Sequence, residues 1–306
     1  MFFTQFRSPL FPRLIRLFPA LALTLALGLG AALQAVLPSG AIGAATEYPA
    51  EDQPAGISLI ALMYHHLEKD SASWGPYVLS PAQFEEDLRY LRDNGFSTIS
   101  LARLVDYVYG EGELPEKPAL ITFDDGNESV YAYAYPLLKQ YGMTAVVNIL
   151  GSASERFSEN PDHDVNYSYL TWDEIREMKD SGVMEFGNHT YDLHSDKPGH
   201  RGVKKIPGES AEEYQYRIYQ DIKLNQRLLA EALGEAPIAF AYHFGYQEEE
   251  ALDILDSLEF RILMGSYEKQ NLITRDPACL FPLRRFNRPS GINTWDFFAR
   301  IAKATP

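Results

Sequence analysis

Short apolar runs alternate along this chain with stretches whose apolar residues return every three or four positions. The run Ile57–Tyr64 reads as a strand, and Ser80-Pro81 reads as the cap and first turn of a helix over 82–94 that Gly95 ends. Residues 96–101 alternate as a strand, 102–109 read as a helix up to Gly110, and 119–123 as a buried strand between Pro118 and Gly126. Next come a helix over 128–141, a strand over 145–150, a helix over 172–180, a short strand over 184–186 and a long helix over 211–233. Segments 237–242, 248–258, 261–265, 280–286 and 293–304 continue the alternation. Strand and helix taking turns implies parallel strands with crossover helices, hence an α/β barrel or a wound sheet. Two stretches, 152–169 and 195–210, show no period and read as rim loops.

The strand over 119–123 runs directly into Asp124-Asp125-Gly126. Like charges so close raise one pKa unless something neutralises them. A divalent ion would do so, leaving one carboxylate as ligand and the other as base; an Asp-Gly turn with a second solvated acid is the plainer alternative. Downstream, His189 and His194 stand in Met184-Glu-Phe-Gly-Asn-His-Thr-Tyr-Asp-Leu-His194. Their separation is not the one-face helical spacing, which places them on a strand end and the loop after it. Neutral imidazole is the commonest nitrogen ligand for zinc, and one carboxylate with two imidazoles leaves positions open for water and substrate. Beside the Asp pair, this reading outweighs that of ordinary surface or core histidines.

Thr122-Phe-Asp-Asp-Gly126 and Asn188-His-Thr-Tyr-Asp-Leu-His194 resemble the first two motifs of the NodB-homology polysaccharide deacetylases. The resemblance runs from about Leu59 to Phe298 and includes Leu62-Met-Tyr-His-His66, Ser80-Pro-Ala-Gln-Phe-Glu85, Leu170-Thr-Trp-Asp173 and Phe240-Ala-Tyr-His-Phe-Gly245. It is most similar to the subgroup that deacetylates poly-N-acetylglucosamine and related cell-envelope glycans. The resemblance implies a distorted (β/α) barrel with its chemistry at the C-terminal strand ends. It implies that Asp125, His189 and His194 hold one divalent metal ion, zinc being expected, and that Asp124 is the general base. It also implies that the Phe244 backbone amide faces the oxyanion.

This chain departs from the family in three respects. Ala241 stands where the family has an arginine and His243 where it has a proline, and no histidine follows His243 to serve as the usual late general acid. Arg285, near a late strand end, is the candidate substitute for the arginine. His65 is the expected acid ahead of His66 and His243, because strand side chains alternate and only one of the adjacent pair faces the site. Tyr242, His243, Arg285 and Trp172 make up the expected substrate-contacting set.

Residues 1–45 carry Arg7, Arg13 and Arg16 and no acid, then an apolar stretch from Leu17 to Leu37 and small residues up to Ala45. This is the layout of a secretory signal peptide, or of an uncleaved membrane anchor, with 46–56 as a polar linker and 57–306 as the catalytic domain. Either way the catalytic part is expected outside the cytoplasm. Without residues 1–45 the chain keeps 24 of its 27 basic residues against 42 acidic ones, a net charge of −18. Such a surface argues against nucleic acid and suits a polysaccharide that is neutral or gains amines. The single Cys279 forms no internal disulfide, so the fold rests on its core. Composition leaves open an O-acetyl glycan esterase of the same fold, an inactive glycan-binding module and, more remotely, phosphoryl transfer.

Overall fold

The computed structural model describes residues 56–304 apart from 196 and 198, so the expected signal or anchor and nearly all of the expected linker lie outside the described residues. Among the described residues no helix is long and apolar enough to cross a membrane.

The architecture is a distorted (β/α) barrel. Its principal strands are β1 (Ile57–Tyr64), β2 (Pro118–Phe123), β3 (Ala145–Ile149), β4 (Met184–Asn188), β5 (Ala239–Ala241), β6 (Ile262–Met264), β7 (Asn271–Ile273) and β8 (Phe286–Asn287), and the two residues Ser97–Thr98 add a short parallel strand beside the start of β2. Strands β1 to β6 pair in chain order and in parallel, while β7 lies antiparallel on the start of β1. The chain around Leu283 bonds to β6, through Leu283 N–H to Leu263 O at 2.7 Å and Gly265 N–H to Leu283 O at 2.8 Å. Three residues later β8 pairs Phe286 with Leu62 of β1, so this one segment ties the two ends of the sheet together.

Period-two alternation sorts each strand into an outer and an inner face. Ile60, Leu62 and Tyr64 pack outward with Ile121, Phe123, Val147 and Phe186. That layer is completed by helices α1 (Pro81–Asp93), α3 (Tyr135–Tyr141), α5 (Trp172–Asp180) and α8 (Thr294–Lys303), which contribute Phe84, Leu138, Ile175 and Phe297. Leu59, Ala61, Leu120, Val146, Ala239, Ala241, Ile262 and Met264 instead form the inner cluster with helix α2 (Leu101–Val108). Helix α2 plugs the end where strands begin, since Leu101 N–H donates to Glu185 near the start of β4. Continuing the inner face by the same alternation brings His65, Asp124 and His243 to the opposite rim.

Local signals account for the helices. Ser80 Oγ accepts from Gln83 N–H with Pro81 at the first helical position, and capping boxes at Thr171/Glu174 and Ser210/Glu213 start α5 and α6 (Ala211–Leu233). Gly234 ends α6 in the left-handed conformation.

Several boundaries differ from the sequence reading. The stretch 152–169 is not all loop, because helix α4 spans Gly151–Glu159. Of its inward positions Gly151, Ser154 and Phe157, only Phe157 is a large apolar residue, too little to make an apolar stripe. Gly151 sits so close to α6 that a Cβ there would clash with Asn225 Oδ1. The expected strand over 96–101 shrinks to Ser97–Thr98, since Ser100 already caps α2. The helix after the Asp pair begins with a π turn, Val130–Ala134. Strand β4 runs on to Asn188, where a turn was expected. The segment 280–286 pairs only at a single bridge from Leu283 to β6 and again at Phe286, and Pro282 between Phe281 and Leu283 has no N–H to continue a ladder.

Candidate active site

The rim at the C-terminal strand ends holds a cleft of about 330 Å³ lined by His65, Asp124, Asp125, His189, His194, Tyr242 and His243, with the exposed Tyr77 and Phe244 at its mouth. Asp124 follows β2 and is 2 % exposed. Such burial raises the pKa of a lone carboxylate, yet Asp124 is held well below the usual range, first by the charge of Arg285 and then by His189. Arg285 is fully buried, and its two terminal nitrogens donate to Asp124 Oδ1 at 2.7 Å and Oδ2 at 2.8 Å. Arg285 Nη1 also donates to Thr122 Oγ1 at 3.1 Å, and Nε donates to Gly265 O at 2.8 Å. Asn148 Nδ2 adds a second bond to Asp124 Oδ1, at 2.7 Å. Oδ1 therefore accepts two donors and Oδ2 one, so Oδ2 keeps the freer lone pair.

Asp125 is oriented quite differently. It adopts φ 74°, followed by Gly126 at φ 78°, a double left-handed turn that aspartate and glycine tolerate. The turn sets Asp125 Oδ1 3.5 Å from His189 Nε2 and 3.7 Å from His194 Nε2. Buried Oδ1 has no hydrogen-bond partner among the described residues.

His189 is anchored on its other side, with Nδ1 2.8 Å from Ala241 O. That bond needs the proton on Nδ1, which leaves the Nε2 lone pair facing Asp125. The turn after β4 is braced by α6: Asn225 Nδ2 donates to Ile149 O and Asn188 Oδ1, and Asn188 Oδ1 also accepts from Thr190 N–H at 2.8 Å. Thr190 has φ 68°, a strained value for a β-branched residue, and its hydroxyl lies 2.9 Å from His243 Nε2.

These donors fit a divalent ion. Ligand atoms about 2.0–2.2 Å from a tetrahedral zinc stand roughly 3.4 Å from one another. The separations around Asp125 Oδ1 match this spacing and are too long for good hydrogen bonds. One oxygen and two imidazole nitrogens are also a chemically suitable set. The three ligand atoms here that lie within 4.8 Å of one another belong to Asp125, His194 and His243, so His243 stands closer to this group than the expected His189, whose Nε2 reaches Asp125, and the buried His243 Nδ1 has no partner among the described residues.

His65 lies in the cleft, its ring 4.8 Å from that of Tyr77, and burial lowers its pKa against the pull of Asp125 and Asp124. His66 points the other way, toward Ser129 and Glu68. Phe244 stands at the mouth with φ 54°, its ring 5.0 Å from that of His194.

Two members of the expected substrate-contacting set are placed elsewhere. Arg285 lies behind Asp124 rather than in the cleft, its donors directed at Asp124, Thr122 and Gly265. Trp172 packs against the outer core and lines a separate cleft, because Thr171 starts α5 on the outer layer. Tyr242 and His243 do line the cleft. Asn148, Thr122 and Thr190 were not singled out from sequence. The isolated polar residue in Ala145-Val-Val-Asn-Ile149, on a strand otherwise wholly apolar, was the available signal for Asn148.

A barrel with paired aspartates and two histidines at its strand ends defines a class of hydrolase, and the family model for polysaccharide deacetylase matches residues 111–263, half of the chain. The chain belongs to the polysaccharide deacetylase family. It is 26 % identical over 219 residues to the poly-β-1,6-N-acetyl-D-glucosamine N-deacetylase of Escherichia coli K12, covering 66 % of this chain and 33 % of that protein. It is likewise 26 % identical over 211 residues to the enzyme of the same name from Staphylococcus aureus MSSA476, covering 65 % of this chain and 68 % of the relative. The match thus spans about a third of the length of the E. coli relative. Among solved structures, IcaB from Ammonifex degensii superposes with a TM-score of 0.65 at 27 % identity, over 81 % of this chain and 98 % of that one.

Proposed function

We propose that the chain is a metal-dependent N-deacetylase that releases acetate from an N-acetylglucosamine-containing polysaccharide of the cell envelope or exopolysaccharide. The observation that carries this reading is the contrast between the two adjacent aspartates. Asp124 is buried and charge-compensated, whereas Asp125 presents an unpartnered oxygen to two imidazoles. The names of the relatives support the substrate class. The N-terminal sequence supports a location outside the cytoplasm, secreted or tethered to the membrane.

Asp125, His189 and His194 would hold the ion, with zinc first in expectation. When bound, it supplies Lewis-acid polarisation of the acetyl carbonyl and a more acidic water. Asp124 Oδ2 takes a proton from the attacking water, and Arg285 keeps that carboxylate ionised and aimed. The Phe244 backbone N–H, at the mouth of the cleft, faces the developing oxyanion. Asp124 then gives that proton up, and His65, lining the same cleft, passes it to the departing amine, so water and amide become acetate and free amine with both side chains restored. His243 and Tyr242 wall the cleft around the sugar.

The test is acetate release from a panel of N-acetylated and O-acetylated glycans, with and without chelator. Chelator-sensitive release from N-acetylglucosamine polymers is the expected result. Release from O-acetyl esters alone would reassign the chain as an esterase, and no release from any glycan would leave a binding module.

A further inference from the structure

A second cluster of ligand-type side chains lies in a different cleft, of about 720 Å³, lined by Glu128, His163, Trp172 and Glu174. Glu128 is 4 % exposed and Glu174 7 %, and both carboxylates turn toward the half-exposed ring of His163. His163 Nδ1 is 3.3 Å from Glu128 Oε1 and 3.0 Å from Glu174 Oε1. The other oxygen of Glu174 is occupied by the helix cap, accepting from Thr171 N–H and Oγ1 at 2.8 Å each. Glu128 Oε2 is buried and has no hydrogen-bond partner among the described residues.

A single imidazole cannot satisfy this arrangement. His163 carries at most one positive charge and directs one N–H at two carboxylates, so without a cation the second negative charge is relieved only by a proton shared between Glu128 and Glu174. Arg176, which lines the same cleft, is paired with Asp173. Burial, together with the neighbouring Glu174, pushes the Glu128 carboxyl up to about 7, which expresses the same electrostatic deficit.

We propose that Glu128, Glu174 and His163 form a second divalent-cation site, separate from the one at Asp125. Each residue offers one ligand atom, and the three atoms lie within 4.8 Å of one another. Two carboxylate oxygens and one imidazole nitrogen, with the open cleft left to water, suit an ion of the zinc or manganese type. The site would be structural. The strand-like strap before α5 is already bonded to the turn after Asp125, by Leu170 N–H to Gly126 O at 2.8 Å and Glu128 N–H to Ser168 O at 2.9 Å. A cation at Glu128 would clamp His163 of that strap and the first turn of α5 to the same turn, three residues beyond Asp125.

The experiment is metal stoichiometry on the full chain. Protein stripped with chelator is dialysed against zinc or manganese and analysed for bound metal, alongside Glu128→Gln, His163→Ala, His189→Ala and the double variant Glu128→Gln/His189→Ala. The wild type should bind two ions, each single variant one and the double variant none. Glu128→Gln keeps the side-chain volume, and its metal-free melting temperature against the metal-free wild type separates a lost ligand from a lost fold. The second site is overturned if Glu128→Gln and His163→Ala bind as many ions as the wild type, or if His189→Ala removes all bound metal. Loss of one ion in Glu128→Gln but none in His189→Ala would support this site and instead sink the site at Asp125.

Discussion

Arg285 closes its fork on Asp124 across 161 positions of sequence, with contacts of 2.7 and 2.8 Å, inside a fully buried pocket. A guanidinium in this place does two things. It makes an ionised carboxylate tolerable where burial disfavours charge, and it fixes which oxygen of Asp124 faces the cleft.

Replacing Arg285 with methionine should therefore raise the pKa of Asp124. If Asp124 is the base it must be ionised, so an acid limb that lies far below neutral in the wild type should rise toward neutral pH in the kcat/KM profile of the variant. The folded-state pKa of Asp124 is depressed, so the pair stabilises the fold above the unfolded carboxylate value and that stability is lost as pH falls through the folded value. Urea unfolding near neutral pH should accordingly show a loss of roughly 3–5 kcal/mol, the cost of leaving a buried charge unpaired. An unchanged acid limb would remove Arg285 from the mechanism.

Exchange of Asp124 for asparagine should keep the ion and lose most of the rate, on the order of 10²-fold or more, since proton removal is lost while Lewis-acid polarisation remains. His189→Ala should lose ion and activity together. Metal content measured beside the rate decides the matter: if Asp124→Asn also lost the ion, the roles of Asp124 and Asp125 would be exchanged.

His65→Ala should lower kcat with the ion retained, and should flatten the alkaline limb of the pH–rate profile, because a neutral imidazole cannot donate a proton. His66→Ala, whose side chain meets Ser129 and Glu68, should change stability more than rate. A normal pH profile in His65→Ala would pass the role to His243 or to water.

Away from the chemistry, Arg288 and Asp87 form another buried pair, at 2.8 Å, with Tyr64 and Thr294 hydroxyls also donating to Asp87. Arg288→Met should destabilise the protein by about 3–5 kcal/mol, with KM little changed. Thermal or urea unfolding checks the first expectation and steady-state kinetics the second.

Much of the site was legible in sequence because its parts lie at strand ends, where a buried apolar run stops at a charged or imidazole side chain. Asp124 and Asp125 end one such run, and His189 follows another. The alternation of β1 implied that only one of His65 and His66 faces the site, without itself selecting which. Tertiary convergence was less legible. Arg285 stood out as a candidate, but only the packing of its segment between β6 and β1 aims it at the carboxylate rather than at substrate. Trp172 fits a sugar platform by type, yet the cap at Thr171 turns it to the outer layer. Helix α4 hid because close approach to α6 calls for Gly151 and Ser154, which leave no apolar stripe. The meeting of Glu128 with Glu174 depends on a strap between α4 and α5 whose path no local pattern encodes.

The segment that delivers Arg285 is also the one that ties β6 to β1. During synthesis Asp124, Asp125, His189 and His194 all leave the ribosome before residue 285 exists. Until it arrives, one sheet end lacks its neighbour and the Asp124 carboxylate lacks its countercharge, so that side chain has every electrostatic reason to stay in water. The last turn of the barrel is thus a latch on the Asp124 carboxylate: a nascent or C-terminally clipped chain would carry Asp124, Asp125, His189 and His194 and still lack the guanidinium that orients Asp124.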